Sequence, residues 1–156
     1  NLIGNAVHVL LQRPDHAARV REAPDEQAPR VVDEVLRYES PVQRMGRVAR
    51  GDFELAGATL RGGDRVFMVL GAANRDPEVF ERPDVFDPDR RDDAKHLSFG
   101  IGPHFCLGAA LGLLEGRVAL TSLLRRLPQL SRAGDGAPAW IDNLTVRGLA
   151  SLPLRP

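Results

Sequence analysis

Apolar positions in the first part of the chain recur at the spacing of a helix face. Leu2, Ile3, Ala6, Val7, Leu10 and Leu11 fall in this register and predict an amphipathic helix over 2–12. Pro14-Asp15 interrupts it, and the polar stretch beyond holds a second short helix around Ala17–Arg21. A stronger helix is predicted over Ala28–Tyr38, with Val31, Val32, Val35 and Leu36 on one face. Pro41 stops it and drives Ser40 toward extended backbone.

Between 42 and 70 the period changes. Val48, Phe53, Leu55, Leu60, Val66, Met68 and Leu70 stand among the turn formers Gly51-Asp52, Gly57 and Gly62-Gly63-Asp64. This predicts three or four short strands in a small antiparallel sheet. Asp76-Pro77 has the form of an N-cap followed by proline at the first helical position, so a short helix is expected through Phe80. Residues 81–98 carry Pro83, Pro88 and many charges without a period, the pattern of a long meandering connection. The longest helix is predicted from Leu107 to Leu127, with Leu111, Leu114, Val118, Leu123 and Leu124 close to one side and Pro128 at its end. The tail from Trp140, with Leu144, Val146, Leu149, Leu152 and Leu154, reads as a terminal hairpin. No internal repeat is visible. The pattern as a whole is that of a mainly α chain with small antiparallel β-sheets.

Composition narrows the function. The 156 residues carry 21 basic and 21 acidic side chains, so affinity for nucleic acid through a strongly basic surface is not expected. No apolar run approaches the roughly 20 residues of a membrane span, and no membrane partner is expected. One cysteine, Cys106, leaves no internal disulfide and no cysteine-rich zinc site. The chain opens at Asn1 directly into an apolar stretch, as if cut from something longer. Lys95 is the sole lysine among many arginines, a bias typical of GC-rich coding sequence rather than a functional patch.

The candidate chemistry lies in Phe99-Gly100-Ile101-Gly102-Pro103-His104-Phe105-Cys106-Leu107-Gly108. The lone thiol stands at the mouth of the longest predicted helix, where free N–H groups and the positive end of the helix dipole favour a thiolate. Gly100 and Gly102 permit left-handed backbone, so the loop can fold tightly and aim N–H groups at the sulfur. Gly108 keeps the first helical turn slim enough for a flat ligand, and Phe99 and Phe105 are placed to shield the sulfur from water. These features predict a buried, anionic sulfur facing a broad surface. One protein ligand is too few for structural zinc, whereas iron in a porphyrin already has four ring nitrogens and needs only an axial thiolate. Two other readings stay open: a cysteine that merely packs, and a thiol nucleophile with His104 as its base.

The run F-G-x-G-x-H-x-C-x-G resembles the haem-binding signature of the cytochrome P450 monooxygenases, with every signature position filled. Glu34 and Arg37, three apart on a predicted helix, resemble the E-x-x-R motif of the same family. Arg90, in Phe86-Asp87-Pro88-Asp89-Arg90, matches the arginine that joins that pair from the meander. The resemblance implies a structural triad of Glu34, Arg37 and Arg90 that pins the meander, with Cys106 as the ligand of haem b (iron protoporphyrin IX). It also implies propionate contacts from His104 and from Arg47, and a haem cradle that includes Phe99, Gly100 and Gly108. Val42 and Met45, in Pro41-Val42-Gln43-Arg44-Met45-Gly46, and Ala150, in Leu149-Ala150-Ser151, fall where the family lines its substrate pocket. His8 and His16 read as helix-surface residues, and His96 has no assigned role.

The resemblance spans essentially all of 1–156 but corresponds to the C-terminal portion of the family's single-domain fold. It implies a soluble bacterial type, expected in the cytoplasm, and a monooxygenase that inserts one atom of O2 into a C–H bond of a small organic substrate. A ferredoxin-type or flavoprotein donor would supply the electrons. The acid and threonine that deliver protons to dioxygen in the family are not among these residues. Gly112-Leu113 departs from the alanine and basic residue common in relatives, though Arg117, Arg125 and Arg126 offer positive charge nearby. The alternative is a truncated, non-catalytic remnant that binds no haem.

Overall fold

The computed structural model describes residues 1–91 and 95–156. Residues 92–94, within the predicted 81–98 meander, lie outside the described residues. The chain forms α1 (Leu2–Leu11), α2 (Pro14–Glu22) and α3 (Pro24–Tyr38), then four short strands, β1 (Met45–Val48), β2 (Phe53–Leu55), β3 (Ala58–Leu60) and β4 (Arg65–Met68). A single helical turn, α4 (Leu70–Ala73), leads into the meander, and α5 (Ala109–Arg126) follows the cysteine loop. The tail holds β5 (Ser131–Arg132), β6 (Ala139–Trp140), β7 (Leu149–Ser151) and β8 (Leu154–Arg155).

The helices build the core. α1, α2, α3 and α5 pack on one another through Ala6, Val9, Leu10, Val20, Val31, Val32, Val35 and Leu120, all essentially inaccessible to water. A Cβ at Gly116 would lie 3.1 Å from Leu2 and 3.2 Å from Val32, so the glycine lets α5 pack closely on α1 and α3. Both α2 and α3 begin earlier than the periodicity indicates. Pro14 and Pro24 are first-turn residues rather than breakers, and Asp15, Asp25 and Glu26 put negative charge at the positive ends of the two dipoles. Pro29, the sixth residue of α3, lies inside the helix and leaves the Asp25 carbonyl without its i+4 donor.

The strands form four antiparallel two-stranded ladders, β1–β4, β2–β3, β5–β8 and β6–β7, instead of one small sheet. Ala56 and Gly57, both at positive φ (49° and 80°), close the β2–β3 hairpin in the geometry that matches strand twist. Three further expectations are corrected. Leu70 starts α4 instead of ending a strand. The helix expected from Asp76 to Phe80 is a single turn, in which the Asp76 carbonyl accepts from Val79 and Phe80 and its carboxylate accepts from the Glu78 N–H. The terminal hairpin is divided: β7 pairs back to β6, β8 pairs to β5, and Val146 bridges to Val42 while Leu144 is exposed. No helix among the described residues is long and apolar enough to cross a membrane.

Candidate functional site

Glu34 and Arg37 stand one turn apart on α3 and form a two-pronged ion pair, Nε to Oε2 at 2.8 Å and Nη2 to Oε1 at 2.7 Å. Both side chains are at most 5% exposed, so neither charge relies on water. The remaining donors of Arg37 reach the carbonyls of Asn74 (2.9 Å), Pro83 (2.8 Å) and Val85 (3.0 Å), and Glu34 accepts the Asp87 N–H at 2.9 Å. One helical pair thereby holds α4 and the meander against α3. Arg90 joins it, its Nε 3.6 Å from Glu34 Oε2, while its other nitrogens donate to the carbonyls of Glu81, Arg82 and Val85. The three predicted residues therefore meet, but only Arg37 makes the bidentate fork.

On the outer side, Asp89 accepts from Arg19 (2.9 Å) and Arg30 (3.2 Å), clasping the meander to α2 and α3. The Arg19 hydrogen bond, reinforced by Arg30, holds the Asp89 carboxyl below its usual range.

The cysteine loop is closed by its own backbone. The Gly100 N–H donates to the Leu97 carbonyl at 2.8 Å, the Cys106 N–H to the Phe99 carbonyl at 2.9 Å, and the Ala109 N–H to the Cys106 carbonyl at 3.2 Å. Gly100 and Gly102 sit at φ 72° and 71°, the left-handed region foreseen for them. A 3-10 turn, Gly102–His104, delivers the chain to Cys106, and Gly108 stands immediately before α5.

The sulfur itself is not buried. Cys106 is exposed, and among the described residues no N–H donates to its sulfur. Phe99 lies against α5, its ring 3.8 Å from where a Gly112 Cβ would be, and tilts against His96 at 5.9 Å. Phe105 contacts Phe99 edge-on at 6.3 Å and is itself exposed. His104 and Arg47 are both exposed, and the Arg47 guanidinium donates to the neighbouring Gly46 carbonyl at 2.9 Å.

The surroundings of the sulfur fit a broad apolar ligand. Ile101, Phe105, Leu107 and Leu111 are all exposed, Leu107 completely, a costly display of apolar surface around one thiol. A Cβ on Gly108 would sit 3.9 Å from the sulfur, so this glycine keeps its flank open. A mostly apolar cavity of about 570 Å³ adjoins the loop, lined by His96, Phe99, Gly100, Ile101, Phe105 and Leu113 among others. Among the described residues no group of three or more His, Cys, Asp or Glu converges as a metal site.

The segment at 41–46 is tied to the tail. Val42 bridges to Val146, the Gln43 N–H donates to the Thr145 carbonyl and the Arg147 N–H to the Pro41 carbonyl, both at 2.8 Å. Met45 is half-buried and pairs with Met68 across β1–β4. Ala150 lies apart from that bridge, exposed in β7.

Sequence reasoning missed a buried polar knot of Ser40, Asn74 and Ser98 between α3, α4 and the start of the cysteine loop. It also missed His96, whose Nδ1 accepts the Ser98 N–H (3.2 Å) and whose Nε2 therefore donates to Asp33 (3.2 Å). His8 is buried rather than on the surface, edge-on to Trp140 at 5.5 Å, and burial pulls its pKa below the usual imidazole range. His16 is half-buried against Phe86 and shifted the same way for the same reason.

The chain belongs to the cytochrome P450 family, whose sequence pattern, described as Cytochrome P450, matches residues 4–131. It is 50% identical over 133 residues to the biotin biosynthesis cytochrome P450 of Bacillus subtilis (strain 168), covering 85% of this chain and 33% of that protein. It is 43% identical to cytochrome P450 monooxygenase PikC of Streptomyces venezuelae, over 99% of this chain and 37% of that one. Among solved structures, P450BioI in complex with an acyl carrier protein ligated by hexadec-9Z-enoic acid superposes with a TM-score of 0.92 at 45% identity, covering 99% of this chain and 39% of that one. CYP109E1 from Bacillus megaterium with testosterone superposes at 0.93 and 39% identity, covering 99% and 42%. The chain thus spans about a third of the length of the curated relatives it matches.

Proposed function

We propose that these residues form the C-terminal part of a haem-thiolate monooxygenase acting on a small organic substrate, in which Cys106 would hold the iron of haem b. The observation that carries the reading is the lone thiol, open on one side and ringed by exposed apolar residues, in a loop that two left-handed glycines close. When bound, the haem supplies activation of O2 for insertion of one oxygen atom into a C–H bond.

The chain's own residues then have separate tasks. Cys106 would hold the iron through its sulfur, from a loop that ends at the start of α5. Gly108 and Gly100 allow close approach, and Phe99, wedged against α5, stiffens the loop and excludes water from its inner side. His104 and Arg47, both exposed, would offer N–H donors to the propionates, Arg47 in exchange for its bond to the Gly46 carbonyl. Glu34, Arg37 and Arg90 hold the meander and contact no reactant. Val42, bridged to the tail, and Met45 border the substrate side together with Ala150, and apolar side chains there fit a substrate with a hydrocarbon portion. Arg117, Arg125 and Arg126, all exposed, suit an acidic ferredoxin-type or flavoprotein donor. The cytoplasm is the compartment in which such donors and a reduced thiol coexist.

A thiol nucleophile gains no support from the geometry, since among the described residues no hydrogen bond joins His104 to Cys106. The test is the ferrous–carbon monoxide spectrum of the haem-loaded intact chain. The red-shifted Soret band of thiolate ligation is expected, and its loss in Cys106→Ser. An unshifted band in the parent chain, or a shifted band that survives in Cys106→Ser, overturns the reading.

A further inference from the structure

Asn74 caps α4, has no exposed surface, and uses every hydrogen-bonding atom of its side chain. Its Nδ2 donates to Ser40 Oγ at 2.7 Å and to Ser98 Oγ at 2.9 Å, and its Oδ1 accepts the Leu97 N–H at 2.6 Å. The two hydroxyls pass the polarity onward. Ser98 Oγ donates to the Leu36 carbonyl at 2.5 Å, and Ser40 Oγ donates to the carbonyls of Leu36 (2.9 Å) and Arg37 (3.1 Å). These carbonyls lie in the last turn of α3, where no further N–H of the helix is available to them. Asn74 also accepts Arg37 Nη1 through its main-chain carbonyl.

Leu97 is the point of transfer. Its N–H is held by Asn74, and its carbonyl accepts the Gly100 N–H, the first closing bond of the cysteine loop. From there Phe99 O holds Cys106 N. A continuous path therefore runs from the Glu34–Arg37 pair through Asn74 to the backbone of Cys106, without an exposed link until the loop itself.

We infer that Asn74 is the positioning residue that sets the Cys106 loop on the Glu34–Arg37 framework. It acts by clamping Leu97 from one side and the Ser40 and Ser98 hydroxyls from the other. The role depends on an amide and not on shape. Aspartate has the same outline but no N–H, so both hydroxyls would have to leave α3 to donate to it, and a buried negative charge would face the last carbonyls of α3. The inference rests on the haem-thiolate reading only for its spectroscopic consequence; the backbone consequence holds without it.

The experiment compares the intact chain with Asn74→Asp and Ser98→Ala, reading amide hydrogen exchange at Leu97 and Gly100 and the ferrous–carbon monoxide spectrum of the haem-loaded forms. Asn74→Asp should speed exchange at both amides about tenfold or more, as loss of a buried hydrogen bond predicts, while core amides of α5 stay protected. Part of the Soret absorption should move from the thiolate position to the unshifted one. Ser98→Ala, which removes one of the two hydroxyls and leaves the amide, should give the same changes in smaller degree and carries the test should the aspartate variant not fold. Unchanged exchange at Leu97 and Gly100 in a folded variant overturns the inference. So does an increase spread evenly over α3 and α5, which marks general destabilisation. A parent chain with no thiolate band sinks the haem reading and leaves the exchange result to decide the positioning role.

Discussion

The two motifs that identify this chain are built in opposite ways. At Glu34 and Arg37 the charges are buried, paired face to face, and surrounded by backbone partners that take up every remaining donor of the guanidinium. At Cys106 the reactive atom is exposed, its neighbours Ile101, Phe105 and Leu107 lie open, and the order is all in the backbone beneath. The first region is complete in itself. The second turns apolar side chains outward over a loop that its own backbone closes. A buried charge must be satisfied by the protein at folding, whereas a ligand site must keep its apolar surface uncovered until the ligand arrives.

That contrast can be broken most forcefully at the carboxylate. Glu34→Ala strands the Arg37 guanidinium in the interior and should cost about 3–5 kcal/mol in urea unfolding of the intact chain. A change under about 1 kcal/mol would show the pair to be dispensable. The apolar core ranks next. Leu120→Ala, at a position with no exposed surface, should cost about 2–4 kcal/mol by the same measurement.

His8 gives a smaller, pH-dependent effect. Burial favours its neutral form in the fold, so the unfolded chain takes up a proton near the ordinary imidazole value of about 6.5 while the folded chain resists. This contribution to stability is present above that value and is lost as pH falls below it. The thermal midpoint should therefore drop between about pH 7 and pH 5, and drop less in His8→Asn. An equal drop in both assigns the dependence elsewhere, His16 being the next candidate. Least of all should depend on the exposed face. Leu107→Ser, in the chain without haem, should shift stability by under about 0.5 kcal/mol, because Leu107 is fully exposed and makes no core contact to lose.

What could be read from the sequence follows the same division. The cysteine loop is set by local spacing, so the glycines at 100 and 102 beside the lone cysteine announce it, whereas the three-residue step from Glu34 to Arg37 is common on solvated helices and gained meaning only beside that loop. Arg90, 56 residues from Glu34, was legible only through the resemblance of Phe86-Asp87-Pro88-Asp89-Arg90 to the family's meander, since no local spacing links the two. Asn74 was not. It stands in Asn74-Arg75-Asp76-Pro77, which reads as a turn, and its hydroxyl partners are 34 and 24 residues away. The starts of α2 and α3 were read late because Pro14 and Pro24 signal a break equally well as a first turn. Two-residue strands such as β5 and β8 carry no period, so their pairing, and with it the divided tail, is decided by tertiary contacts alone.

The central claim is that Cys106 holds the iron, and alkylation of that thiol tests it most directly. The intact chain would be treated with iodoacetamide before and after haem loading, with modification at Cys106 read by mass spectrometry. The open sulfur should be alkylated readily without haem and protected once haem is bound. Alkylation at the same rate in both forms would contradict the account.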